Sequence, residues 1–73
     1  MSNVKTWADG YGRWHAEVDD TPLGYTRARN AIAHELSSRS PWNFSEALRY
    51  VEGEIISLPS ETPGRIHFAE YEV

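Results

Sequence analysis

None of the 73 residues is cysteine. No disulfide and no thiolate metal site can therefore staple the fold, although a domain this small buries only about 60% of the surface its unfolded chain exposes. Stability has to come from packing or from oligomerisation. The material for packing is aromatic: three Trp, four Tyr and two Phe, each ring able to bury roughly 150–250 Å². The length fits one domain, residues 1–73.

The stretch "TWADGYGRWHAEVDD", residues 6–20, is the clearest structural signal. Asp9-Gly10-Tyr11-Gly12 marks a tight turn, since glycine takes up positive φ without steric cost. A two-residue loop at Gly10-Tyr11, or a four-residue loop from Asp9 to Gly12, sets Trp7 opposite Trp14. Trp14, Ala16 and Val18 alternate with Arg13, His15 and Glu17, the period of a strand with one buried face. This pattern predicts that Trp7 and Trp14 share the face of Ala16 and Val18 and lie under a helix. An open stacking platform is the alternative.

"TPLGYTRARNAIAHELSSRS", residues 21–40, has the spacing of an amphipathic helix. Tyr25, Ala28, Ile32 and Leu36 form its apolar stripe, with Ala31 and Glu35 nearby. Arg27, Asn30 and His34 fall on the solvated side. Thr21 is a candidate cap with Pro22 after it, and Thr26 is a second candidate because Gly24 weakens the earlier start. Pro41 disfavours a helical residue before it and ends the element. The next stretch reads two ways. Asn43 or Ser45 can cap a helix whose spacing runs through Leu48, Val51 and Ile55. Gly53 and Ile55-Ile56-Ser57-Leu58 favour a strand. The balance predicts a short helical turn at 44–49 and a strand at 51–58. "RIHFAEYEV" alternates again, with Ile66 and Phe68 on one face and His67, Ala69, Tyr71 and Val73 on the other. The expected fold is α+β, ββαββ, a four-stranded antiparallel sheet with one main helix packed on one face.

Net charge is −4. The middle of the chain is mildly basic, with Arg27, Arg29, Arg39 and Arg49 against Glu35 and Glu46, and both flanks are acidic. An acidic balance disfavours duplex DNA, whose binding depends on phosphate neutralisation. It leaves room for self-association between unlike patches. No stretch approaches the ~20 apolar residues of a membrane span, and "MSNVKTWADG" lacks the apolar run of a signal peptide, so a cytoplasmic location is expected.

Catalytic chemistry is not expected. His15, His34 and His67 lie on separate elements without ligand spacing, although a metal site with Glu17 or Glu70 would be the way to bring them together. There is no serine elbow and no phosphate loop, because Gly10-x-Gly12 leads into a strand rather than a helix. The sequence predicts no catalytic, cofactor-binding or metal-binding residues. The stretch "SPWNF" is the strongest candidate for binding, because Trp, Tyr and Arg are the usual interface anchors. Trp42 and Phe44, flanked by Arg39, are candidate partner-binding residues, with Tyr11 and Tyr71 on the sheet side. The plain alternative has Trp42 and Phe44 folded back under the helix end, filling a corner of the core.

"DGYGRWHAEVDD", then "PLG" and "ARNAIAHEL", resembles the start of HicB-type antitoxin domains over residues 8–36. Those domains pair such a hairpin with a helix and bind a small toxin. Over the whole chain, "DGYGRWHAEV", "ARNAIAHEL" and the acidic end resemble small accessory proteins of tailed phages of actinobacteria. That resemblance implies a protein made in the cytoplasm of an infected host, and no activity. The expected function is non-enzymatic binding of a host or phage protein, or of a second copy. Single-stranded nucleic acid, held through Arg27, Arg29, Arg39 and Arg49 with stacked rings, and a HicB-like toxin are the alternatives.

Overall fold

Asp9 decides where the first hairpin turns. In the computed structural model, which describes residues 4–70, Asp9 Oδ1 accepts the backbone N–H groups of Tyr11 at 2.8 Å and Arg13 at 3.0 Å. The Asp9 N–H donates to the Arg13 carbonyl at 2.9 Å, and the Gly12 N–H donates to the Asp9 carbonyl at 3.1 Å. Gly12 stands at φ +82°, a left-handed conformation that glycine enters without strain. The loop is therefore Gly10–Gly12, a turn closed by one left-handed residue. It joins β1 (Lys5–Ala8) to β2 (Trp14–Asp19).

An odd loop displaces the pairing by one residue from the even loops the sequence suggests. Ala8 stands opposite Trp14, and Trp7 opposite His15. The expected Trp7–Trp14 pair does not form. A one-residue slip carries a side chain through to the other face. Trp14 keeps the face of Ala16 and Val18, as expected, whereas Trp7 joins Lys5, His15 and Glu17 on the opposite one.

The chain continues through α1 (Gly24–Arg39), α2 (Phe44–Glu54), β3 (Ile55–Pro59) and β4 (Arg65–Glu70). The fold is α+β with a four-stranded antiparallel sheet in the order β1-β2-β4-β3. Two helices, not one, lie between the hairpins. α1 crosses one face of β2 and β4, and α2 packs along α1. Ala16, Val18 and Phe68 from the sheet meet Ala28, Ile32 and Ala33 from α1 and Ala47 and Val51 from α2. Small side chains line the contact, so the helix approaches the sheet closely.

The start of α1 shows how close. A Cβ on Gly24 would sit 2.7 Å from the Asp19 carbonyl oxygen and 3.2 Å from Val18 Cγ2. Gly24 is a contact requirement, not a weak helix start. The residue before it, Leu23, is the N-cap, and no side chain caps the helix, so neither Thr21 nor Thr26 does. Tyr25, expected in the apolar stripe, is 40% exposed and meets Phe68 edge-on at 5.7 Å.

The stretch from Phe44 to Glu54 is one helix, longer than the expected turn at 44–49, and the strand begins at Ile55 rather than at 51. Asn43 caps it reciprocally: Asn43 Oδ1 accepts the Glu46 N–H at 2.9 Å, and Glu46 Oε1 accepts the Asn43 N–H at 3.1 Å. The helix continues through Gly53 because Val51 is buried in the contact with α1. Burial of an apolar helix stripe outweighs the ~1 kcal/mol that a helical glycine costs. Among the described residues no helix is long and apolar enough to cross a membrane.

Candidate functional site

Ser40 and Asn43 fix the corner between the two helices. Ser40 Oγ donates to the Leu36 carbonyl at 2.7 Å and accepts the Trp42 N–H at 3.3 Å. With the capping box after it, the corner holds Trp42 outside the core. Trp42 is 38% exposed and Phe44 37%. Trp42 leans on Tyr50 with ring centroids 5.1 Å apart, and Phe44 on His34 at 5.0 Å. Neither ring fills the core corner that the plain alternative gave it.

Trp42, Asn43, Ser45, Glu46, Arg49 and Tyr50 line an open groove of about 450 Å³. One wall is aromatic, Trp42 with Tyr50. Ser45 and Arg49 are four residues apart on α2 and share a face. Glu46 is already engaged in the helix cap. The Arg49 guanidinium has no ion-pair partner among the described residues.

The structure does not gather the other expected site residues here. The Arg39 guanidinium lies 5.1 Å from the Trp14 ring centroid, and its Nε is 3.3 Å from Glu35 Oε2. Tyr11 is 85% exposed at the hairpin tip, on a different element. Tyr71 lies outside the described residues. Tyr50 escaped the sequence reading, and Arg49 entered it only among the four arginines of the nucleic-acid alternative. A helix carried through Glu54 places Glu46 and Tyr50 on one face, and that spacing was the available signal.

The uncovered face of the sheet carries a second constellation. Side chains of β1, β2 and β4 stand side by side there. Trp7 stacks on His15 with centroids 5.3 Å apart and planes 6° from parallel, and on His67 at 5.3 Å and 28°. His15 Nδ1 is 2.8 Å from His67 Nε2, and His15 Nε2 is 2.8 Å from Asp9 Oδ2. Asp9 thus receives three N–H groups. The His15 hydrogen bond, followed by the Arg13 backbone N–H, lowers its pKa from 3.8 to about 2. An ionised carboxylate only accepts, so His15 Nε2 carries a proton. In neutral His15, Nδ1 is then the acceptor, and His67 Nε2 donates to it. Burial, followed by the charge His15 can carry, lowers the His67 pKa, and Glu17 opposes that shift.

Glu17, opposite His67 in the ladder, is engaged elsewhere. Its Oε2 accepts Ser60 Oγ at 2.9 Å and its Oε1 is 3.5 Å from Arg65 Nε. Arg65 also reaches Asp19 at 2.7 Å. Among the described residues no group of three or more His, Asp or Glu is placed to hold a metal ion. The alternation in sequence put His15 and His67 on the open side. Their contact needed the adjacency of β2 and β4, and no local pattern carries that.

No protein family, curated protein or solved structure matches the chain.

Proposed function

We propose that this protein is a small, non-enzymatic interaction module that holds a segment of a partner polypeptide in the groove between Trp42 and Tyr50. The observation that carries the reading is the pairing, in one groove of about 450 Å³, of an aromatic wall with the Arg49 guanidinium, which has no ion-pair partner among the described residues. Such a site fits a segment that offers an apolar side chain next to a carboxylate. The ring wall takes the apolar part, and Arg49 can grip the carboxylate through two parallel N–H donors. Trp, Tyr and Arg are the residues whose truncation most often weakens an interface. The partner is a host or phage protein in this reading, in keeping with the resemblance to phage accessory proteins.

Single-stranded nucleic acid finds less support. Of the four arginines in the basic middle, Arg29 lies 3.4 Å from Glu52 and Arg39 3.3 Å from Glu35. The charge available for phosphates is thus halved, on a chain of net charge −4.

A displayed library of random peptides tests the proposal. We expect enrichment of peptides that set Leu, Ile or Phe beside Asp or Glu, loss of binding in Trp42→Ala, and weaker binding in Arg49→Gln. Trp42 and Arg49 lie on the surface, so both variants should keep the wild-type unfolding transition to within about 1 kcal/mol. Binding at the wild-type level by both folded variants, or enrichment of basic peptides, would remove the proposal.

A further inference from the structure

The contact between His15 Nδ1 and His67 Nε2, at 2.8 Å, contains one proton. With none added to the pair, His67 donates to His15, which donates to Asp9. With one added, the pair still works, because either ring can be the donor and the other the acceptor. With two added, both facing nitrogens carry N–H groups. Neither can accept, and two cations face each other.

We propose that Asp9, His15 and His67 form a one-proton store beneath Trp7, and that a second proton drives the two rings apart and releases β1 from the sheet. Asp9 balances the first charge, since its carboxylate is the anion hydrogen-bonded to the pair. Among the described residues no second carboxylate is hydrogen-bonded to the pair. Glu17 faces His67 across the ladder and its charge favours the protonated ring, but its oxygens are held by Ser60 and Arg65 and make no hydrogen bond to it. Asp19 is committed to Arg65. β3 brings Ile56 and Leu58 to this side, with no titratable group. On β1, the Lys5 ammonium lies 5.9 Å from the Trp7 ring centroid and adds positive charge.

β1 is the strand that feels the change. It is four residues long, sits at the sheet edge and, among the described strands, pairs with β2 alone. Its aromatic hold on the uncovered face is the Trp7 stack on the two imidazoles. Separation of the rings removes the plane on which Trp7 rests. Release of β1 would leave the β2 edge with unpaired N–H and C=O groups, the usual template for an added strand. The device is therefore an acid-opened strand site, and it is independent of the groove at Trp42.

Nitrogen-detected histidine NMR and amide exchange, followed on the intact protein from about pH 8 to about pH 3, test it. Exchange rates are referred to β3 at each pH. We expect the pair to gain one proton with β1 still protected. On gaining the second, β1 should lose protection at least tenfold relative to β3, about one pKa unit of linkage. His67→Phe keeps a ring under Trp7 and removes the second proton site, so its β1 should stay protected in acid. Two imidazolium rings with β1 intact would overturn the proposal. So would a pair that stays singly charged to about pH 3, loss of β1 and β3 together, or undiminished release in His67→Phe. The wild-type titration decides the matter by itself if that variant does not fold.

Discussion

Trp7 and Trp14 flank one turn and end in opposite surroundings. Trp14 packs at the edge of the apolar cluster with the Arg39 guanidinium over its ring. Trp7 lies across two hydrogen-bonded imidazoles on the face that no helix covers. Composition does not separate them, since both are strand tryptophans beside small or polar neighbours. What separates them is the parity of a loop, fixed by one carboxylate and one left-handed glycine. The same sheet thus carries an apolar contact on one face and a polar, proton-counting one on the other. The first is held by shape and the second by donor and acceptor matching. The two should fail in different ways.

The apolar face should show the largest losses. Ile32 is fully buried where α1 meets the sheet, and Ile32→Ala should cost about 2–5 kcal/mol. Urea unfolding would measure it. A loss under ~1 kcal/mol would mean that α1 is loosely seated and that the contrast between the faces is overstated.

Gly24→Ala follows. Helix propensity alone favours alanine by about 1 kcal/mol. The new Cβ would meet backbone at 2.7 Å, and such overpacking typically costs about 1–3 kcal/mol. The clash wins, because a backbone carbonyl cannot rotate away like the end of a side chain. The expected outcome is net destabilisation by denaturant unfolding, and a stabilised variant would break the account of close approach.

These two residues also mark how much the sequence disclosed. Ile32 was readable, because its spacing from Ala28 and Leu36 is helical. Gly24 was misread, because a glycine that permits contact and a glycine that weakens a helix look alike until the neighbouring strand is placed. The hairpin was readable as a hairpin, but its parity was not. An Asp carboxylate that takes the N–H groups of Tyr11 and Arg13 selects the loop, and that choice is made by hydrogen-bond geometry. α2 was underestimated for a related reason. Gly53 and the β-branched run after it argue locally for a strand, while the burial of Val51 against α1 is a tertiary effect. In the candidate groove, Trp42 was legible as an interface type. Tyr50 became legible only with the full length of α2, as did the place of Arg49 beside it in the groove.

The turn itself gives the next test. Gly12→Ala places a Cβ at φ +82°. There is open space around it, so the cost is conformational alone, about 1–2 kcal/mol. The Trp7 indole signal reports whether the loop keeps its parity. An unchanged stack with unchanged stability would show that Asp9, without Gly12, sets the loop.

On the polar face the signature is pH dependence. Asp9 is lowered from 3.8 to about 2 in the folded state. A carboxylate lowered in this way contributes stability above 3.8, and the contribution is lost as pH falls towards 2. His67 is lowered from 6.5. The unfolded chain then takes up the proton first, so the His67 contribution is full above 6.5 and declines as pH falls below it. Asp9→Asn should remove the lower window and leave the decline that begins at 6.5. The stabilities of wild type and Asp9→Asn, measured by denaturant over this range, should converge in acid. Parallel curves would show that the carboxylate is not what holds His15.

Arg39 offers the smallest effect and tests the contrast from the other side. Its ion pair with Glu35 is at the surface, where such pairs contribute about 0.2–1 kcal/mol. Its cation–π contact with Trp14 adds about 0.5–1 kcal/mol. Arg39→Ala should therefore destabilise by about 1 kcal/mol, and Trp14 should lose its guanidinium cover. Arg39 is outside the groove, so peptide binding should stay at the wild-type level while Arg49→Gln lowers it. If Arg39→Ala weakens binding as much as Arg49→Gln does, the binding surface extends round the helix corner to Trp14, and the two tryptophans would divide between a proton store and a docking surface.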